Sequence, residues 1–190
     1  MKKQVRVLGI DDSPFTFRSE RALLVGVVAR LPMYIEGIMR TEASVDGSDA
    51  TDSIADMVLR SRYREQLKVI MLDGVAVGGF NVVDIDRLRE ATGISCATVT
   101  RDLPDHERME KALRAHFDDW RDRMEVIKRH PLHRVGTARH PLYVTAVGIS
   151  IDDLELILKE CTVVGTLPEP LRIAHLISSA MVRGESHGRA

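Results

Sequence analysis

Cysteine is scarce in this chain, and aromatic residues make up only 4% of its 190 positions. The two cysteines, Cys96 in ISCATV and Cys161 closing LELILKEC, both lie in apolar contexts. They read as buried free thiols rather than a disulfide or a metal pair. No apolar run reaches the length needed to cross a bilayer, and the opening MKKQVRV lacks the apolar core and cleavage site of a signal peptide. The expectation is therefore a cytoplasmic protein without a membrane partner. An excess of one charge sign is also missing: 27 Lys and Arg face 28 Asp and Glu, for a net charge of −1. A nucleic-acid partner would have to be held by a local basic patch. Repeats and low-complexity tracts are absent. What is present, 44% apolar and 29% charged residues, suits one compact domain over residues 1–190.

The elements alternate along the chain. A short apolar run at Val5–Ile10 reads as a buried strand, because it ends at the turn-forming Asp-Asp-Ser-Pro. Ala22–Leu31 and Met33–Ser44 are two further extended runs with Pro32 at the turn, so the three form an antiparallel meander. Asp46-Gly47 signals a turn, and Ser48 or Asp49 can cap a helix whose apolar face holds Ile54, Met57 and Val58. Lys68–Leu72 is a strand, followed by a turn rich in glycine (Gly74, Gly78, Gly79) and a short helix near Ile85–Ala91. Ser95–Thr100 is a fifth strand. From Pro104 to Arg129, Met109, Leu113, Phe117, Trp120, Met124 and Ile127 recur at helical spacing and predict one long helix. Leu142–Ile149 is a sixth strand, with helices at Asp152–Glu160 and Pro168–Val182. A meander followed by β–α units predicts a mixed α/β sandwich.

Three aspartates close apolar runs: Asp11 in VRVLGIDDSPF, Asp49 in ASVDGSDAT and Asp73 in LKVIMLDGV. Strands of one sheet can deliver all three to one rim. Carboxylates crowded there repel unless a cation sits between them, and oxygen ligands of this kind suit Mg²⁺ or Mn²⁺. Such a set points to metal-assisted chemistry on a phosphate. Each aspartate taken alone is equally a turn former or helix cap. The glycines of GVAVGGFN form no phosphate-binding loop, since the Gly-Lys-Ser/Thr ending is missing.

The segment Arg121–His140 carries Arg121, Arg123, Lys128, Arg129, Arg134 and Arg139 against Asp122 and Glu125. It is a candidate track for a phosphate backbone or, equally, a solvated helix end. Its histidines, His130, His133 and His140, have neither the spacing nor the neighbouring cysteine of a zinc site. Phe15 and Phe80, near the acids, are the candidates to touch a base. Phe117 and Trp120 read as core.

The motifs also resemble a known family. VLGIDDS is similar to the first strand of endonuclease V, a ribonuclease H-like nuclease, LKVIMLDGVAVGG to its strand ending in Asp-Gly-x-Gly, and LPEPLRIAH to its C-terminal LPEP-x-R-x-A signature. DGSDAT, LDGVAVGGFNVVDI and PEPLRIAHLISSAMVRGESHGRA resemble still more closely an archaeal sister family associated with an endonuclease acting at deoxyuridine. The likeness runs through nearly the whole chain. It implies a ribonuclease H-like mixed sheet flanked by helices, with Asp11 and Asp73 as metal ligands and Asp49 in place of a glutamate at a helix head. It also implies that Arg101 stands where the family has a lysine near the scissile phosphate, and that Mg²⁺ or Mn²⁺ is the cofactor. In such chemistry metal ions activate the attacking water, while an arginine stabilises charge on the phosphate. Asp12 and Asp46 are spare carboxylates for outer positions.

Two departures stand out. Endonuclease V has a histidine after the Val-Gly that follows its last strand, where this chain has Ile149 in AVGISIDDLE; Asp152 or Asp153 can take its place. The family's Pro-Tyr-Ile-Pro wedge has only a chance likeness here in Tyr34-Ile35-Glu36-Gly37, 15 residues before Asp49. Hypoxanthine specificity therefore does not carry over. Arg172 can reach a phosphate or pair with a carboxylate. The expected function is a metal-dependent DNA endonuclease nicking near a deaminated base, deoxyuridine by the resemblance. The alternatives are a non-catalytic nucleic-acid-binding protein on a nuclease fold and a metal-dependent small-molecule phosphohydrolase. No obligate protein partner is expected.

Overall fold

A computed structural model describes residues 5–16, 18–137 and 139–186. Their centre is a seven-stranded sheet. Strands β1 (Arg6–Asp12), β2 (Arg21–Arg30) and β3 (Tyr34–Ser44) form the expected antiparallel meander. Helix α1 (Ala50–Leu59) leads to β4 (Leu67–Asp73), which lies parallel to β1. A two-stranded ribbon, β5 (Ala76–Val77) with β6 (Asn81–Val82), precedes α2 (Ile85–Thr92) and the parallel strand β7 (Ser95–Thr100). Then come α3 (His106–His116), α4 (Trp120–Lys128), β8 (His133–Val135), β9 (Leu142–Val147), α5 (Ile151–Cys161) and α6 (Glu169–Arg183). The sheet order is β3-β2-β1-β4-β7-β9-β8, with β9 antiparallel to β7.

Alternation along the strands assigns the layers. Leu8, Ile10, Leu24, Ile70 and Leu72 bury one face of the sheet with Ile54 and Val58 of α1 and Leu88 of α2. Val7, Val69, Met71, Ala97 and Val99 bury the other with Leu154, Ile157 and Leu158 of α5 and Leu171 of α6. Both cysteines are buried and unbridged. Among the described residues no helix is long and apolar enough to cross a membrane.

The long helix expected over 104–129 is two helices. Phe117 turns extended (φ −134°, ψ 129°) and ends α3, and α4 starts at Trp120. The apolar stripe still buries together: Leu113, Met124 and Ile127 form one cluster with Met109, Phe117 and Trp120. A straight helix would string such a stripe over roughly 1.5 Å per residue, out of reach of any one core. Folding at Phe117 lets it close on itself and on Phe80, whose ring meets Phe117 edge-on at 5.8 Å. Strand β8 and the ribbon β5–β6 were not anticipated. Asp49 does occupy the position before α1, but its side chain makes no capping bond to that helix.

Candidate active site

The register of β1 against β4 runs from Val7–Val69 to Ile10–Leu72. One step further along both strands, Asp11 comes beside Asp73 at the rim, on backbones roughly 4.8 Å apart. Both side chains continue the face that carries Val7, Val69 and Met71, the face covered by α5 and α6. Asp11 is only 6% exposed.

Helix α6 is seated directly on β1. A Cβ on Gly9 would come within 2.6 Å of the Pro170 carbonyl carbon, so only glycine permits this approach. One turn further, His175 brings Nδ1 to 2.9 Å from Asp11 Oδ2. Ser178 Oγ, fully buried, donates to the Asp12 carbonyl at 2.8 Å. The other Asp11 oxygen, Oδ1, accepts the Asp12 backbone N–H at 2.8 Å. Both oxygens of Asp11 are thus fixed in orientation, each with lone-pair capacity left over. Asp12 itself is on the opposite face, where Oδ2 accepts the Gly78 N–H at 2.5 Å.

The electrostatics follow from this packing. Burial pushes the Asp11 carboxyl up to about 8, and the charges of Asp73 and Asp12 push the same way against the Asp12 N–H bond and Arg101. Burial also raises Asp73, opposed by Arg101 and His175 and reinforced by Asp12. Asp12 is raised by burial, against the bond from Gly78. Arg101, just past the end of β7, therefore lies within electrostatic reach of both Asp11 and Asp73. Buried, mutually repelling oxygen donors are a set that a hard divalent cation neutralises. Among the described residues no three His, Cys, Asp or Glu side chains converge into a ready-made metal site. Two carboxylates, with waters and substrate phosphate completing the shell, is nonetheless the usual protein share for Mg²⁺. The Asp11–Asp73 pair fits that group.

Asp49 does not complete a triad with them in this structure. It follows β3, two strands out from β1, and its oxygens accept the Ser44 N–H (2.9 Å), the Ser44 hydroxyl (2.9 Å) and Asn81 Nδ2 (2.7 Å). Arg21 lies 3.7 Å away. Burial works against its charge, but the bonds from Ser44 and Asn81 outweigh it and hold the carboxyl below its usual range. Asn81 is fully buried and also accepts the Ala50 N–H, so Asp49 belongs to a loop-locking network. Asp152 and Asp153 cannot take the place beside the acids. They open α5 after β9, whose Val147 pairs with Cys96 near the start of β7, at the opposite rim. Asp153 is bonded to Ser150 there. Tyr34 also lies at that opposite rim, beside Arg30, while Glu36 pairs with Arg6 and Arg30. The stretch that resembles a wedge thus lies at the far rim from the acids.

The expected nucleic-acid contacts divide. Phe15 is exposed in the segment that follows β1. Phe80 is half-buried in the α3–α4 cluster and is no free stacking platform. Arg121 lies over the Trp120 ring at 4.5 Å. Lys128 is paired with Glu110 (2.8 Å), and Arg129 with Asp84 (2.8 Å) and Asp86 (3.3 Å), so these two brace α4 rather than face a substrate. His130 joins the same brace through Asp86 at 2.6 Å. Arg134 and Arg139 are exposed. Arg172 pairs with Glu169 at 2.6 Å.

Sequence reasoning missed His175, although a signal was present. It stands four residues after Leu171 and three before Ser178, on the seated side of α6. Arg123, expected only as one cation of the basic track, instead donates from Nη1 to the carbonyls of Asp46 (3.2 Å), Gly47 (3.0 Å) and Phe80 (2.6 Å) and ties α4 to the loops around the rim.

A mixed seven-stranded sheet flanked by helices, with acids at the tips of its two central parallel strands, defines the ribonuclease H-like class of nuclease folds. Residues 3–182 match the family model described as Endonuclease dU, and the chain belongs to that family. A UPF0215 protein of Methanothermobacter thermautotrophicus is 48% identical over 192 residues, covering all of this chain and 94% of its own. The crystal structure of a protein of unknown function from Archaeoglobus fulgidus superposes with a TM-score of 0.85 at 38% identity, covering 97% of this chain and 99% of that one. Endonuclease V of Ciona intestinalis, solved with a 24-mer DNA containing an inosine followed by a ribo-adenosine, shares the fold. Its TM-score is 0.63 at 18% identity, over 97% of this chain and 88% of that one. Family and fold together indicate a nuclease.

Proposed function

We propose that this protein is a divalent-metal-dependent endonuclease that cuts DNA beside a deaminated base, with deoxyuridine as the base the family description names. The observation that carries the reading is the placement of Asp11 beside Asp73 at the ends of parallel β1 and β4, with Arg101 and His175 around them. We read residues 1–190 as one endonuclease V-like domain.

Asp11 and Asp73 would hold Mg²⁺ or Mn²⁺. Such an ion, when bound, supplies activation of water and Lewis acidity toward the scissile phosphate. The chain's own groups do the rest. His175, with its proton on Nδ1, donates to Asp11 Oδ2 and keeps that carboxylate turned toward the rim. Arg101 offers a planar cation to the phosphate oxygens and stabilises the charge that gathers on them in the transition state. Asp12, held by Gly78 on the other face, adds negative charge beneath the pair and strengthens its demand for a cation. A non-catalytic binding protein loses its main motive once a histidine reaches the acids from α6. A small-molecule phosphohydrolase calls for an enclosed pocket, whereas the space beside Arg101 is open along the rim.

The test is cleavage of end-labelled DNA carrying one deoxyuridine, against undamaged and deoxyinosine controls, in Mg²⁺, Mn²⁺ and EDTA. Metal-dependent nicking at deoxyuridine that disappears in Asp73→Asn is the expected result. No mutant-sensitive cutting of any of these DNAs would leave a binding protein as the better reading.

A further inference from the structure

β3 is an outer strand of the sheet and runs for 11 residues, whereas β8 on the other side has 3. What its outer edge presents can be read from β2. Ser13 donates its backbone N–H to the Leu23 carbonyl at 2.7 Å, and the Leu23 N–H donates to Ser13 Oγ at 3.1 Å. Both backbone groups of Leu23 therefore point toward β1. Its partner on β3, Glu42, turns N–H and C=O the other way, out of the sheet, and so do Arg40 and Ile38 by alternation. The ends of this edge are occupied. Ser44 gives its N–H to Asp49 and accepts Asn81 on its carbonyl, Arg21 Nη2 donates to the Glu42 carbonyl at 2.9 Å, and the Tyr63 hydroxyl donates to the Glu36 carbonyl. Between them, among the described residues, no protein group meets the N–H and C=O of Ile38 and Arg40 or the N–H of Glu42. Ile38 is also 58% exposed, and an open edge with an apolar residue on it is one that folds usually cover.

The side chains say what completes this edge. The open groove beside it, between β3 and α1, carries Arg21, Arg40 and Arg60 against Glu42 and Asp56, and its other lining residues are uncharged. A phosphate backbone laid there would meet both carboxylates. An extended strand with its own alternating charges meets each side chain with the opposite sign, while its backbone takes up the open groups. β3 is itself such a strand, because Arg40 and Glu42 stand two residues apart on one face. Laid antiparallel against a copy of itself with Thr41 on the twofold axis, it sets Arg40 opposite Glu42 of the copy, and the reverse contact forms at the same time. The outward N–H and C=O groups of those two residues then bond to each other across the axis. An axis at Arg40 instead would oppose that arginine to itself.

We propose that β3 pairs antiparallel with β3 of a second copy of this chain, joining the two sheets through Arg40 and Glu42. The pairing does not depend on the nuclease reading. β3 runs parallel to β1, so the acid rims of the two copies face opposite ways and neither copy completes the other's site. The test is sedimentation velocity of the full chain over a wide range of concentration, where a dimer is expected. Arg40→Glu sets like charges together at both contacts, and so does Glu42→Arg. Each should weaken self-association by about tenfold or more. Mixing the two variants should restore it, because every contact between them again joins opposite charges. Amide exchange of the unaltered chain is the second readout, and it stands even if a variant unfolds. The N–H groups of Ile38, Arg40 and Glu42 should exchange more slowly as concentration rises. A chain that stays monomeric throughout overturns the proposal, as does a dimer that both variants leave intact or that mixing fails to restore. Variants that weaken duplex DNA binding with no change in mass also overturn it and give the groove to nucleic acid.

Discussion

His175 on α6 and Asp11 on β1, 164 residues apart in sequence, stand 2.9 Å apart from Nδ1 to Oδ2. The contact exists because Gly9 lets Pro170 and Leu171 lie against the strand, which sets the height of the helix one turn below His175. Groups that orient a ligating carboxylate usually matter about 10–100-fold for metal affinity or activity. We expect His175→Ala to weaken Mn²⁺ binding, read by calorimetry, by a factor in that range. His175→Asn, whose amide can still donate from nearly the same place, should recover part of it. Unchanged Mn²⁺ affinity in His175→Ala would show that the contact only fastens α6.

The acid pair should make stability depend on pH. Asp11 titrates near 3.8 when unfolded and at about 8 in the folded chain. Between those values the folded state holds the extra proton. The contribution of Asp11 to stability is therefore fully present below about pH 4, falls as pH rises toward 8, and is flat above. Asp11→Asn removes the titration while keeping the shape. The variant should melt higher than the parent by several degrees at pH 8–9 without metal, since 1 kcal/mol is worth roughly 2–4 °C in a domain of this size. The gap should close toward pH 4, and Mg²⁺ should raise the melting temperature of the parent but not of the variant. A parent that is the more stable of the two at pH 9 without metal would contradict this assignment.

Asp49 should behave differently from its two expected partners. Its carboxylate is committed to Ser44 and Asn81, and removing it leaves their donors without an acceptor. Such a loss typically costs about 1–3 kcal/mol. Asp49→Ala should lower the melting temperature by several degrees and leave Mn²⁺ affinity nearly unchanged, whereas Asp73→Asn should do the reverse. If Asp49→Ala abolishes metal binding in protein that remains folded, the loop around Asp49 must rearrange to bring it to the pair.

The contrast between these residues shows what was legible in the sequence. Strand tips are local: an apolar run ending in Asp announces Asp11 and Asp73, and their parallel pairing is a short inference from the alternating elements. Asp49 has the same local signature, but its partners, Ser44 and Asn81, are set by how two loops meet. The sequence marks His175 only by its place on the seated stripe of α6, and its role depends on where α6 crosses β1. The broken helix at Phe117 is similar. Periodicity correctly grouped Leu113, Met124 and Ile127, yet it could not show that they meet by folding back. Charge composition misled for the same reason, since a cluster of arginines in sequence says nothing about the carboxylates waiting across the fold.

That last point gives a prediction for DNA affinity. Lys128 and Arg129 are held by Glu110, Asp84 and Asp86, while Arg134 and Arg139 are exposed. Each phosphate contact adds about 0.9 to the slope of log affinity against log salt for duplex DNA. Arg134→Ala and Arg139→Ala should each lower that slope by about 1 and weaken damaged and undamaged duplex alike, because a phosphate contact carries no base preference. Lys128→Ala should leave the slope unchanged. Arg129→Ala should act on the fold instead, since it strips Asp84 and Asp86 of their shared cation and loosens α4 from α2. Titrations at four or five salt concentrations separate the two pairs. A slope that drops for Lys128→Ala but not for Arg134→Ala would place the DNA track along α4, on the face the ion pairs now occupy.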